Sequence, residues 1–315
     1  MLVRLILKRL GLAALTLLLV SGIVFSIASW LPGDAAQAAL GQSATPELLA
    51  AMRAQMGLDQ PALVRYIHWI AGLLTGDAGR SLANDLPVSD LIAKRLPKSL
   101  LLAAFTTAVS VPLALGIGIL AAMYRGSRLD RALSIATVAM VAVPEFLVAT
   151  LAVLVFSVQL HWLPALSYIP DDPSLRQLAR AYAMPVLTLS FVVSAQMARM
   201  TRAAVIDQLD RPYVEMAALK GIRPARIVLT HALPNAVGPI ANAVALSLSY
   251  LLGGAIIVET IFNYPGIASL MVDAVSNRDM PLLQACAMIF AAAYLALVLI
   301  ADICAILSNP RLRGT

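Results

Sequence analysis

"YVEMAALKGIRPARIVLTHALPN" (residues 213–235) is a helix-prone, largely polar stretch with two prolines and a glycine, set between long runs of almost uninterrupted hydrocarbon. Its meaning depends on what those runs are. Over 315 residues the chain is 60% apolar and only 13% charged, with a mean hydropathy of +0.85, too oily for a soluble domain of ordinary composition. It reads as an integral membrane protein whose first partner is lipid. A net charge of +6 would suit nucleic acid only on the basic face of a soluble fold, so no nucleic-acid partner is expected.

Crossing a bilayer takes about twenty helical residues, and six apolar stretches meet or approach that length: residues 10–31, 99–123, 132–160, 183–198, 236–258 and 285–307. The fourth is short. The pattern predicts an all-α polytopic membrane protein with six transmembrane helices and both ends on one side. Lysine and arginine choose the side, because cytoplasmic loops retain them. Fourteen fall at the N-terminus (Arg4, Lys8, Arg9), in the second linker (Arg125, Arg128, Arg131), in the fourth (Arg199, Arg202, Arg211, Lys220, Arg223, Arg226) and in the tail (Arg311, Arg313), against nine opposite. Acids lean the other way, four against eleven, with Glu259 placed just beyond the fifth span. Both termini are predicted cytoplasmic, although Lys94, Arg95 and Lys98 beside the second span run against the rule. The N-terminus also carries the outline of a secretory signal ending in "AQA" at 36–38, but its apolar run is about twice the length of such a core. It is read as a span.

The loop after the first helix, residues 32–97, is too long for a bare connector and is predicted to form a small external subdomain. Within it "ELLAAMRAQMGL" (47–58) has apolar positions at helical spacing. "GDAGRS" (76–81) lacks the lysine and the glycine spacing of a phosphate loop and is read as a turn. The division expected is 1–98, first helix plus external loop, and 99–315, a five-helix transmembrane domain containing a cytoplasmic loop at 203–235.

Catalytic signatures are missing: the sequence holds no GxxxxGK[ST], GxSxG or HExxH. No catalytic residue is assigned, and any energy-consuming machinery is expected on another subunit. His68, His161 and His231 have no ligand spacing, so no metal site is assigned. Cys286 and Cys304 share one apolar run and are read as small buried apolar residues. Two ionisable groups interrupt the spans. Glu145 follows Pro144 in the third, where a carboxylate must face protein or water, so Pro144 and Glu145 are candidates for the translocation path, with a packing role the alternative. Asp302, close to the end of the sixth, is expected to bond a loop or terminus.

The opening stretch reads as a helix-turn-helix on the cytoplasmic side. Asp210 is a candidate N-cap, Pro212 suits the first turn, Glu215 favours the positive helix start, and Gly221 ends the helix. Pro224 opens a second short helix, which Pro234 is expected to close. The alternative is an amphipathic helix lying on the inner lipid surface.

Glu215, Ala217, Ala218 and Gly221, followed after nine residues by "HALP" (His231, Ala232, Leu233, Pro234), resemble the EAA motif of ABC importer permeases, with Met216 and His231 at positions usually alanine and isoleucine. "SWLPGDAA" (29–36), "RYIHWIAGLLTGDAGRSLANDLPVSDLIAKRLPKSLLLA" (65–103), "GGAIIVETIFNYPGIASLMVDAVSNRDMPLLQA" (253–285) and "ADICAILSNPRLR" (301–313) are similar to stretches of the dipeptide, oligopeptide and nickel permease group, and specifically its B-type member. The resemblance implies the ABC type I importer fold, with Glu215, Ala217, Ala218, Gly221, His231, Leu233 and Pro234 in a loop whose helix docks on a cytoplasmic ATPase. It implies a C-type permease as heterodimer partner, two ATP-binding-cassette ATPases that hold the ATP and magnesium, and an external solute-binding protein. The place implied is the bacterial cytoplasmic (inner) membrane. Short peptides are the expected cargo, with nickel or nickel chelates and glutathione as alternatives. An ion-coupled carrier working alone is a reading of a different class, against which stands the lack of internal duplication. A membrane-embedded hydrolase ranks last, because Glu145 and Asp302 lie at different depths.

Overall fold

The computed structural model describes residues 2–30, 44–55, 59–170 and 174–308. The "AQA" signal, most of "SWLPGDAA", residues 56–58 and the tail motif from 309 lie outside them. Every extended element is a helix, and the described residues pair as strand only at one bridge between Arg80 and Pro87. In order these are α1 (Leu2–Trp30), α2 (Pro46–Gln55), α3 (Ala62–Thr75), α4 (Val88–Met123), α5 (Arg128–Ala142), α6 (Glu145–Ala152), α7 (Leu175–Leu209), α8 (Pro212–Leu219), α9 (Pro224–Ile227), α10 (Leu233–Ile261), α11 (Ile267–Ser276) and α12 (Met280–Ser308).

Five segments are long and apolar enough to cross a bilayer: Ile6–Ile27, Val88–Met123, Leu175–Leu209, Pro224–Ile261 and Met280–Cys304. The sixth is a bent pair. Where sequence predicts one crossing at 132–160, α5 and α6 meet at 96°. Pro144 causes the break, because its ring and missing N–H cannot continue a helix and the residue before it is pushed to extended backbone; Val143 sits at φ −85°, ψ 123°. The fourth span also differs, running to 35 residues instead of stopping at 183–198. Ser174 and Gln177 form a capping box at its start, and Arg176, Arg180, Arg199, Arg202 and Asp207 fall within it. Of the spans α7 is the most buried and the least hydropathic. Neighbouring helices rather than lipid cover it, so it tolerates serine and threonine and its hydropathy understates its length.

Two compact units divide the chain. One comprises Met1–Leu10, Leu100–Tyr264 and Tyr294–Thr315, the other Gly11–Ser99 and Pro265–Ala293. In the first, α7 packs against α4 through a seam of small residues. Leu102, Thr106, Ser110, Ala114, Gly118 and Ala122, every fourth residue of α4, are all buried, as are Ser190, Ser194 and Ala198 of α7. A four-residue spacing puts them on one helix face, and small side chains let backbones approach where no hydrophobic drive exists between helices in lipid. The register is fixed at three heights. Phe105 meets Tyr182 edge-on at 5.0 Å, Ser194 donates to the Ser110 carbonyl at 3.4 Å, and a Cβ on Gly118 would lie 2.7 Å from the Ala198 carbonyl oxygen and from Thr201. In the same unit, near the other end of the chain, Asp302 of α12 pairs with Arg9 of α1 at 2.7 Å, as expected for an acid that bonds a terminus.

In the second unit Val88, Ile267, Leu270, Leu282 and Cys286 form the core. Asp279 accepts the amides of Leu82 (3.2 Å) and Leu282 (3.3 Å) and the Ser81 hydroxyl, so it caps α12 and holds the "GDAGRS" turn. Phe25 of α1 packs on Tyr66 and Trp69 of α3, with ring centroids 5.4 and 6.0 Å away. Cys286 and Cys304 are both free thiols.

Replacing Gly118 by leucine is expected to force α4 and α7 apart at a cost of about 1–3 kcal/mol, seen as a lower thermal unfolding midpoint of the detergent-solubilised protein. Gly116→Ala, on the same helix with nothing within 4 Å, is expected to leave that midpoint unchanged or raised, because alanine is the better helix former by about 1 kcal/mol.

Candidate functional site

The loop at 203–235 has a specific local architecture. α7 ends at Asp210, which accepts an ion pair from Arg125 at 2.7 Å. That corrects the reading of Asp210 as N-cap: the cap position of α8 belongs to Arg211, which offers no side-chain bond, and Pro212 opens the helix. The helix start already has two of its needs met, since proline brings no N–H to satisfy and Glu215 faces the positive end. At the other end Gly221 takes φ +77°. Its N–H donates to the Ala218 carbonyl (2.9 Å) and that of Ile222 to the Ala217 carbonyl (3.3 Å), the paired bonds of a Schellman stop. Ile222 then packs back beside Val214, Ala217 and Ile227, with Leu209 of α7 completing the cluster.

The second half departs from expectation. Pro234 does not close a helix. α9 runs through a π turn, Val228–Ala232, directly into α10, and the whole forms one 38-residue segment. A proline inside a regular α-helix clashes with the carbonyl four residues back, whereas the wider turn before Pro234 takes the ring, and the side chain of Asn235 bonds the His231 carbonyl at 2.8 Å. The loop is therefore one short helix hinged by Gly221 onto the start of the fifth span.

The motif residues divide by role. Ala217 is buried in the small cluster, Leu233 packs half-buried against Val228, Ala236 and Ile240, and Gly221 makes the turn. Glu215, Ala218 and Pro234 are exposed. His231 is half-buried in a concavity of about 300 Å³ beside Tyr213, Met216, Lys220 and Thr230. Met216, which adds bulk where the motif has alanine, points outward at 55% exposure, so the bulk alters the surface and not the fold. With Tyr213 (42%) and Leu219 (76%) it forms an exposed apolar ridge. Their three-residue spacing places all three on one face of α8, and that spacing was the signal by which Tyr213 and Leu219 could have been found.

The second candidate lies at the bend. Pro144 is exposed and caps α6; Glu145, half-buried, is its first residue. The Glu145 carboxylate sits over α10 at Gly254, where a Cβ would come within 2.7 Å of both its oxygens. Glycine is the side chain that leaves room for it. Irregular backbone at membrane depth persists where it is covered by protein or lines water, and an acid at the same point needs the same surroundings.

Glu259 was missed. Sequence reading ended the fifth span at Val258 and counted this acid outside, whereas α10 runs to Ile261 and Glu259 is fully buried. One turn on, Tyr264 donates its hydroxyl to Tyr182 at 2.8 Å; burial pushes it far above its ordinary range, so it remains a neutral donor. Also missed was the pair of Asp130 with Arg202, which bond at 2.7 and 2.8 Å. They stand 72 positions apart, and each alone reads as one of many charges flanking a span.

Comparison with known proteins agrees with this architecture. Residues 114–314 match the family model described as binding-protein-dependent transport system inner membrane component, and residues 1–103 match that family's N-terminal component. A probable peptide ABC transporter permease of Sinorhizobium fredii is 33% identical over 98% of both chains. A putative peptide transport system permease of Brucella melitensis is 34% identical over 99% of both, and a glutathione transport system permease of Salmonella choleraesuis 37% over 98% of both. The chain belongs to the inner-membrane permease components of binding-protein-dependent ABC importers, a multi-pass transport subunit and not a catalytic enzyme.

Proposed function

We propose that this permease forms half of the translocation pathway of an ATP-driven importer of short peptides, paired with a C-type permease, two ATP-binding-cassette ATPases and an external solute-binding protein. ATP and magnesium belong to the ATPases. In this reading the loop at 203–235 and both termini face the cytoplasm, residues 1–98 supply the first span and an external subdomain, and residues 99–315 form the five-helix transmembrane domain. The observation that carries it is α8: a helix stiffened by a Schellman stop and a small apolar cluster, yet presenting Tyr213, Met216 and Leu219 to solvent. An apolar ridge on a rigid protrusion suits a groove in a partner. Cargo is inferred from the relatives, whose names speak of peptide and of glutathione, itself a tripeptide; no relative named here favours nickel.

Binding of ATP would close the ATPase pair, and the loop would pass that movement to the span on either side of it. Moving a bundle from mostly inward-facing to mostly outward-facing takes roughly 5 kcal/mol of differential binding, which nucleotide and a docked receptor supply together. Pro144 and Glu145 are proposed to line the path.

Gly221→Val puts a β-branched residue at φ +77° and is expected to disorder the turn by roughly 1–2 kcal/mol. In vesicles reconstituted with the ATPases and receptor, uptake per ATP hydrolysed should fall severalfold with expression retained; wild-type uptake would remove the coupling role. For the path, Gly254→Ala is expected to displace the Glu145 carboxylate and slow uptake, and Glu145→Ala in that background to recover packing stability but not uptake. Equal uptake by all three proteins would leave Glu145 a packing residue.

A further inference from the structure

α7 leads into α8 with no slack. Two residues, Asp210 and Arg211, separate them, and Leu209 is itself part of the cluster that holds Val214, Ala217 and Ile227. Any displacement of α8 is a displacement of the end of α7. Two turns earlier on α7, Arg202 engages Asp130 in the first turn of α5, Nε to Oδ1 at 2.7 Å and Nη2 to Oδ2 at 2.8 Å. Asp130 has further donors: the Gly126 amide reaches Oδ2 at 2.9 Å and the Ser134 hydroxyl Oδ1 at 3.4 Å. Its side chain is 6% exposed. A parallel two-bond fork between guanidinium and carboxylate fixes orientation as well as distance.

Two further charge pairs lie at this level: Arg125 with Asp210, 50% and 60% exposed, and Arg211 with Asp207, 55% and 64% exposed and within one stretch of chain, and exposed pairs hold geometry weakly. The apolar contact of Gly118 with Ala198 and Thr201 joins α7 to α4, not to α5. Among the described residues Asp130, buried, and Arg202, half-buried, are thus the one polar side-chain tie between α7 and the start of α5. α5 is a rod of 15 residues, about 22 Å long at helical rise. Its far end is the 96° bend at Pro144, where Glu145 rests on Gly254.

We infer that the Asp130–Arg202 fork is the clamp through which movement of the α8 loop reaches α5 and the Pro144 bend, which makes both residues positioning residues for transport. The inference rests on the coupling reading above. Without the fork α8 still docks and α7 still moves, but α5 is no longer carried with it.

The test uses the full importer in vesicles, with Asp130→Asn, Arg202→Gln, the double variant and Arg202→Lys, recording ATPase copurification, ATP hydrolysis, uptake and thermal unfolding midpoint. The result expected is retained ATPase subunits, hydrolysis within about twofold of wild type, and uptake per ATP down about tenfold. The double variant should lose no more than either single one, as partners in one interaction do, and Arg202→Lys, which keeps charge but not the fork, should fall between. Wild-type uptake per ATP in the single variants overturns the clamp and leaves the coupling reading standing. Hydrolysis and uptake falling together with the unfolding midpoint, at constant ratio, overturns it too, because the pair is then only a structural staple. Failure of wild-type protein to retain any ATPase overturns both.

Discussion

Hydrocarbon offers no partner to a peptide N–H or carbonyl, so each crossing must satisfy its backbone from within. Most of this chain obeys by forming long helices, and the places where it does not are few enough to name. The chain breaks at Val143 and Pro144, widens to π turns at Val153–Gln159 and Val228–Ala232, and reverses at Gly221. Three of these departures are bounded by packing that compensates for them: Gly254 under Glu145, Asn235 on the His231 carbonyl, Ile222 against Ala217. Irregular turns of this kind recur at functional positions, and here they coincide with both candidate sites.

How much could be read from sequence follows from the range of the interactions concerned. Local chemistry was visible. Proline at 212, glycine at 221 and the spacing between them placed α8, because caps and left-handed turns are decided within five or six residues. All six spans emerged from hydropathy, five as single helices and one as a bent pair, because lipid selects composition directly. Errors arose where tertiary contact replaces solvent as the selecting force. α7 looked short because protein and not lipid surrounds it. Glu259 looked external because an acid in a span is unexpected until its burial is known. Pro234 looked terminal because nothing in the sequence announces the wide turn that receives it, and Asp210 looked like a cap because its bond to Arg125 spans 85 positions.

The coupling role proposed for the loop would combine two demands that usually conflict. A surface that binds a partner must expose apolar groups, while a lever must be rigid. α8 meets both at eight residues by turning Val214 and Ala217 inward and Tyr213, Met216 and Leu219 outward. Because the helix interior is closed by a turn that glycine alone takes without strain, the outward face can vary without loss of stiffness. Met216 illustrates this: a departure from the family motif that changes the exposed face while leaving the backbone bonds of the turn intact.

The choice of an ion pair to join α7 to α5 follows from the same logic. An apolar contact of equal area would serve stability as well or better, since buried ion pairs lose much of their Coulombic gain to desolvation. What an apolar contact lacks is direction. The small-residue seam between α4 and α7 needs three separate contacts to fix its register, Phe105 on Tyr182, Ser194 on the Ser110 carbonyl and Gly118 against Ala198. A forked bond from Arg202 to both oxygens of Asp130, with the Gly126 amide on one of them, admits one register and one rotation. Removing either partner would leave the other charge half-satisfied, so the joint holds or fails as a unit. A part proposed to transmit movement needs that property more than it needs net stability, which is a reason for charge to sit at the start of α5, where α7 passes it on the way to the loop.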